Sequence, residues 1–113
     1  MNFKEFSKIN RDRSESPEGF NHKLSSWSLS DWFTATTGEL GEAANIAKKL
    51  NRYRDGIRGN TRTKEELQQD LADEIADVFI YLDLLAQSEN ICLEEAILHK
   101  FNETSNKIGY KKV

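Results

Sequence analysis

Thr37-Gly-Glu-Leu-Gly-Glu-Ala-Ala-Asn45 and Asp70-Leu-Ala-Asp-Glu-Ile-Ala-Asp-Val78 are the two stretches around which the helices of this chain are organised. Each carries an acidic pair three residues apart, Glu39/Glu42 and Glu74/Asp77. On a helix, positions i and i+3 share a face, so each pair aims two carboxylates the same way. Like charges so placed repel, and the repulsion asks for a cation or for solvent. Solvent is the less natural answer here. Leu40, Ala43, Ala44, Ile46 and Ala47 flank the first pair, and Ile75, Ala76, Val78, Phe79 and Ile80 flank the second.

Working outward, both stretches lie inside long helical patterns. Trp32, Phe33, Thr36, Leu40, Ala43, Ala44, Ala47 and Leu50 recur at a period of 3.6 and predict a helix from Ser28 or Ser30, as N-cap, to about Leu50. Gly38 and Gly41 are poor helix formers, so a close neighbour is expected beside them. Residues 51–63, with two glycines and four arginines, predict a basic, mobile loop. Thr63-Lys-Glu-Glu66 is a capping box opening a second long helix to about Gln87, with Leu67, Leu71, Ile75, Val78, Leu82 and Leu85 as its apolar stripe. Asp70, Glu74, Asp77 and Tyr81 form the adjoining stripe.

The ends are simpler. Phe3, Phe6 and Ile9 predict a short first helix ending in the charged run 10–15, and residues 16–26, holding the only proline, predict a loop. Leu93, Ile97, Phe101 and Ile108 mark a last helix over about 92–107, with Gly109 as its C-cap. No strand alternation stands out. Asp73 and Asp83 read as surface acids and Cys92 as an inert buried thiol.

At 113 residues, 37% apolar and 31% charged, the chain suits one all-α domain over 1–113, near the lower limit for a self-sufficient core, so a second copy is expected. A net charge of −3 advertises neither nucleic acid nor membrane. A lone cysteine excludes a disulfide framework and suits a reducing compartment, and no apolar run reaches membrane-spanning length; a cytoplasmic protein is expected.

Two long helices joined by a short loop run roughly antiparallel. From a loop midpoint near residue 57, Glu42 lies 15 residues before and Glu74 17 after, so the acidic pairs stand at comparable heights. Four converging carboxylates call for raised pKa values or a bound cation, and an all-oxygen set without His or Cys favours Mg²⁺, with Mn²⁺ as substitute. Magnesium takes phosphate oxygens as further ligands, which makes phosphate chemistry the natural use. Lys48 and Lys49 lie beyond Glu42 and also suit the helix C-terminal turn; Lys100 and Lys107 are further phosphate candidates. A nucleobase would need an aromatic surface and a polar edge partner, supplied by Trp27, Trp32, Phe20, Tyr81, His22 and Asn45.

The runs Trp27–Leu50 and Leu71–Ala86, with Lys100-Phe-Asn102 and Lys107-Ile-Gly-Tyr110, resemble the MazG-like all-α nucleoside triphosphate pyrophosphohydrolases over about residues 27–110. That family's mark, Glu-x-x-Glu followed after a spacer by Glu-x-x-Asp, falls on Glu39, Glu42, Glu74 and Asp77. The resemblance implies a four-helix bundle assembled as a homodimer or dimer of dimers. It further implies Mg²⁺ dependence and hydrolysis of NTPs or dNTPs to monophosphate and pyrophosphate, with Lys49, Lys100 and Asn102 touching substrate. Lys107 stands where an arginine is common, which implies a weaker bidentate grip on phosphate. From another class, the chain would be a non-catalytic helical oligomerisation or regulatory module. A di-iron bundle needs Glu-x-x-His pairs that His22 and His99 do not complete.

Overall fold

The computed structural model describes residues 1–113 and is wholly helical, with no strand. Four α-helices, α1 (Phe3–Glu15), α2 (Leu29–Asp55), α3 (Lys64–Ser88) and α4 (Leu93–Ile108), are accompanied by one 3₁₀ turn at Leu24–Ser26. No helix is long and apolar enough to cross a membrane.

Helix ends follow the chemistry of their flanks. Asn2 and Glu5 form a reciprocal capping box for α1, in which the Asn2 side chain accepts from the Glu5 N–H at 2.9 Å and Glu5 accepts from the Asn2 N–H at 2.8 Å. The same exchange joins Thr63 and Glu66 before α3. Of the two serines considered for the start of α2, Ser28 is the one that immediately precedes it. Gly109 closes α4 in the left-handed conformation, φ 75°, as a C-cap glycine should.

Several boundaries differ from the sequence-based expectation. One that agrees is the end of α1, which closes in the charged run 10–15 with Lys8–Asp12 and Arg11–Glu15 pairs bridging successive turns. Helix α2 continues to Asp55, so Lys48 and Lys49 are interior and the last-turn cations are Arg52 and Arg54. The remaining loop is pinned: Asn60 donates to the Lys49 carbonyl at 2.8 Å, the Tyr53 hydroxyl donates to the Arg62 carbonyl, and Arg62 makes a two-bond fork with Asp70 at 2.6 and 2.9 Å.

The chain forms two compact units, one of residues 1–29 with 83–113 and one of residues 30–82. In the first, Leu24, Leu84, Leu85 and Ala86 are buried together with polar Asn10, Ser14, Asp83 and Ser105. Asp83, expected on the surface, is 1% exposed. Its carboxyl group accepts from Ser7 Oγ at 2.6 Å, Asn10 Nδ2 at 2.9 Å and Gln87 Nε2 at 3.0 Å, so every oxygen taken from water has a donor. Cys92, expected to be buried, is exposed just before α4. The loop after α1 folds back tightly: the Phe20 N–H donates to the Arg13 carbonyl at 2.9 Å, and a side chain at Gly19 would collide with that carbonyl.

In the second unit Trp32, Ala43 and Leu67 are buried. The apolar stripes of its helices are covered only on one side. Phe33 and Leu40 on α2, and Ile75, Phe79 and Leu82 on α3, are exposed to between 38% and 59%. No atom lies within 4 Å of a side chain added at Gly38 or Gly41, so the close neighbour expected there is not supplied within this chain.

Candidate metal centre

Helix α2 presents Glu39, and α3 presents Glu74 and Asp77 one turn apart, as their spacing predicts. One carboxylate oxygen from each lies within 4.8 Å of the other two, a spacing that suits three ligands of a single cation. Glu39 and Glu74 are half-buried and Asp77 is exposed, so the cluster sits at the edge of the unit rather than in its core.

The electrostatics of the cluster are those of crowded like charges. Burial pushes the Glu39 carboxyl above its ordinary range, and the Glu42 and Asp77 carboxylates add to it. Glu74 is raised by burial first and then by the hydrogen-bonding contact and charge of Glu42, with Asp77 and Glu39 behind. Glu42, expected as a fourth ligand, is exposed and does not belong to the converging three, although its carboxylate acts on both Glu39 and Glu74.

One oxygen of Glu39 and one of Glu74 are buried without any hydrogen-bond donor. Contact with Glu42 does not remedy this, because two carboxylates form a hydrogen bond only when they share a proton. A buried acceptor left without a donor is costly, and more so when charged. A hard divalent cation would satisfy the orphaned oxygens and the repulsion together. The all-oxygen donor set, with carboxylates from two helices and an open side toward solvent, fits Mg²⁺ or Mn²⁺, which keep waters and take substrate oxygens.

The other expected substrate residues divide between the units. In residues 30–82, Lys49 and Tyr81 are half-buried and Asn45 is exposed. In the other unit, His22 and Trp27 meet edge-to-face with ring centroids 4.5 Å apart and planes at 69°. That pairing is set by the loop after α1, where the His22 N–H donates to the Ser14 carbonyl at 2.7 Å and the Ser14 hydroxyl to the His22 carbonyl at 2.9 Å. Trp27 remains 36% exposed, leaving ring surface for a ligand, whereas Trp32 is 1% exposed and serves the core. Phe20 is 72% exposed, with the Arg13 guanidinium 5.6 Å from its ring.

On α4 the candidate contacts are already engaged. Glu103 accepts from Lys100 at 2.9 Å and from Lys107 at 3.4 Å, and Lys100, with help from Lys107, holds the Glu103 carboxyl below its ordinary range. The sequence carried that signal, since Lys100, Glu103 and Lys107 stand at i, i+3 and i+7. Asn102 is occupied by the backbone of Val113, with Nδ2 donating to its carbonyl at 3.0 Å and Oδ1 accepting from its N–H at 2.9 Å. No local sequence pattern announces that contact.

Comparison of the chain with protein-family models, with curated proteins and with solved structures gives no significant match in any of the three.

Proposed function

We propose that the chain is a Mg²⁺-dependent nucleoside triphosphate pyrophosphohydrolase of the MazG-like kind, removing non-standard or surplus NTPs and dNTPs. The observation that carries this reading is the convergence of Glu39, Glu74 and Asp77 within 4.8 Å, with buried oxygens of two of them lacking a donor. Glu39, Glu74 and Asp77 would hold the cation. When bound, it supplies Lewis-acid polarisation of phosphate oxygens and charge neutralisation.

The chain's own groups do the rest. Glu42, beside the cluster and outside the converging three, is the carboxylate free to orient the attacking water and accept its proton. Water adds to phosphorus as the α–β bridge breaks, giving monophosphate and pyrophosphate. On the strength of the resemblance, Lys49, Lys100 and Asn102 are assigned to substrate, and Asn45, Tyr81, His22 and Trp27 to sugar or base. His22 and Trp27 have a geometry suited to a flat ligand, an aromatic face beside a polar ring.

Self-association belongs to the same reading. Ile75, Phe79 and Leu82 follow one another at i, i+4 and i+7 along α3, and Ile97 and Phe101 at i and i+4 along α4, all exposed. Rows of that kind in a small domain favour a homodimer or dimer of dimers. They equally favour the second reading, a non-catalytic helical module whose purpose is assembly.

Pyrophosphate release from a panel of ordinary and modified NTPs and dNTPs, with and without Mg²⁺, tests the proposal. Mg²⁺-dependent turnover that Glu39→Gln and Glu74→Gln abolish while folding persists supports the hydrolase. Folded protein that is inert toward the whole panel, with self-association intact, supports the module.

A further inference from the structure

We propose that the end of the α2–α3 hairpin docks on the phosphate backbone of a nucleic acid through Lys48, Arg52, Arg58 and Lys64, with Lys49 beside them. The proposal stands apart from the hydrolase reading and needs no bound cation.

The net charge of −3 hides a strong segregation. Residues 48–64 hold seven of the 16 Lys and Arg residues and one, Asp55, of the 19 Asp and Glu residues. Lys4, Lys8 and Arg11 on α1, and Lys100 and Lys107 on α4, each face a carboxylate within 4 Å. At the hairpin end the acids are used up early: Arg54 takes Asp55, and Arg62 takes Glu66 and Asp70. Lys48, Lys49, Arg52, Arg58 and Lys64 are left without an ion pair, against Glu65 as the one unengaged acid among their neighbours.

Helix chemistry does not call for this density. A cation suits the last turn of α2, which accounts for Arg52, but Lys64 is the first residue of α3, the end where a cation is disfavoured, and Arg58 lies in neither helix. Lys48 and Arg52 stand one turn apart on one face of α2. A side chain at Gly59 would come within 3.8 Å of Arg52 Nη1, so the loop rests against that guanidinium, with Arg58 next in sequence. The bonds from Asn60 to the Lys49 carbonyl and from Tyr53 to the Arg62 carbonyl hold the loop along the end of α2, so the cations are presented with little ordering left to do.

Unpaired cations gathered at one end of an otherwise acidic chain suit a partner of high linear charge density. A nucleic-acid strand offers a phosphate about every 3.4 Å, and neutralising several of them releases condensed counterions. Asn51 and Thr61, both exposed, add neutral donors of the kind that meet phosphate oxygens. An anionic membrane fits less well, because surface helices there pair a basic face with a broad apolar one, and Tyr53 and Ile57 are the only exposed large hydrophobic residues between 48 and 64.

Fluorescence anisotropy of a labelled single-stranded oligonucleotide of mixed sequence, titrated with the full chain in EDTA, tests the proposal. EDTA keeps any divalent ion from bridging phosphate to the acidic cluster. The expected Kd is about 10–100 μM near physiological salt, with log K falling against log salt at a slope of about −2 to −3.5, as about three to five phosphate contacts give. Lys48→Gln/Arg52→Gln should weaken binding about tenfold and flatten the slope by about 1.4, and Arg58→Gln, in the loop, should weaken it about threefold. Lys4→Gln/Lys8→Gln removes the same charge from α1 and should leave binding unchanged. Absence of binding by the folded parent, or equal weakening in the α1 and hairpin double variants, overturns the proposal. So does displacement of the oligonucleotide by inorganic tripolyphosphate at matched phosphate concentration, which assigns the cations to small phosphate ligands, or retention on phosphatidylserine vesicles without retention of the oligonucleotide.

Discussion

Helix α3 carries Asp83, which is buried, and Glu74, one of whose oxygens is withdrawn from water, and their surroundings treat the two carboxyl groups in opposite ways. Around Asp83, Ser7, Asn10 and Gln87 place a donor on each oxygen, at 2.6 to 3.0 Å. Around Glu74, the carboxylates of Glu42, Asp77 and Glu39 add their charge, and one of its oxygens has no donor at all. The first arrangement is complete and ties α1 to its own unit. The second is incomplete, and an acceptor left in that state is the feature on which the proposed cation site rests.

The largest expected effect follows from emptying the incomplete site. Glu74→Gln keeps the side chain's shape and removes a charge the cation would need. We expect turnover of any nucleotide substrate to fall by about 10²–10⁴-fold, the range spanned by loss of a positioned acid–base or ligand group. Folding should be unimpaired, as read by circular dichroism. A variant with near-parental turnover would put Glu74 in the same class as an ordinary surface acid.

Breaking the complete site should be costly in a different currency. Asp83→Ala strips Ser7, Asn10 and Gln87 of a shared acceptor inside a nearly dry environment, and we expect about 3 kcal/mol of lost stability in urea unfolding. A change well below 1 kcal/mol would mean that water reaches these donors and that the network is not structural.

The smallest effect is on the pH dependence of the acidic cluster. Folding raises Glu39 and Glu74 above the ordinary glutamate value of 4.5. The folded chain therefore binds these protons more tightly than the unfolded chain does. Their contribution to stability is fully present below the ordinary value and is lost as pH rises through the raised folded values. In EDTA at neutral pH, Glu74→Gln should thus melt slightly higher than the parent, and the gap should close as pH falls toward 4.5. Thermal melts across that range check it, and a variant that melts lower at neutral pH would reverse the sign.

Much of this organisation was legible in the residues. Helical periodicity announces all four helices, the Thr63-x-x-Glu66 capping box marks the start of α3, and Gly109 marks the end of α4. The two acidic pairs are legible because i, i+3 spacing fixes a shared face on each helix, whereas the separation of Glu42 from the converging three depends on tertiary placement that spacing does not encode. Asp83 could not, since its donors come from Ser7 and Asn10, more than 70 positions away, and a long-range hydrogen bond leaves no local pattern. Residue type alone points Cys92 inward, since thiols are usually buried, whereas the residue occupies a helix-start position open to solvent. Periodicity shows only that a face is apolar and not what covers it, and Leu40, Ile75 and Phe101 remain uncovered within a single chain.

The central claim is that Glu39, Glu74 and Asp77 gather to hold a divalent ion, and Mn²⁺ titration followed by electron paramagnetic resonance tests it most directly. The account predicts saturable Mn²⁺ binding by the parent, displaced by Mg²⁺, retained in Lys8→Ala and lost in Glu39→Gln and Glu74→Gln. Binding of equal strength in the parent and in the Glu39→Gln/Glu74→Gln double variant, or none in the parent at millimolar Mn²⁺, would contradict it.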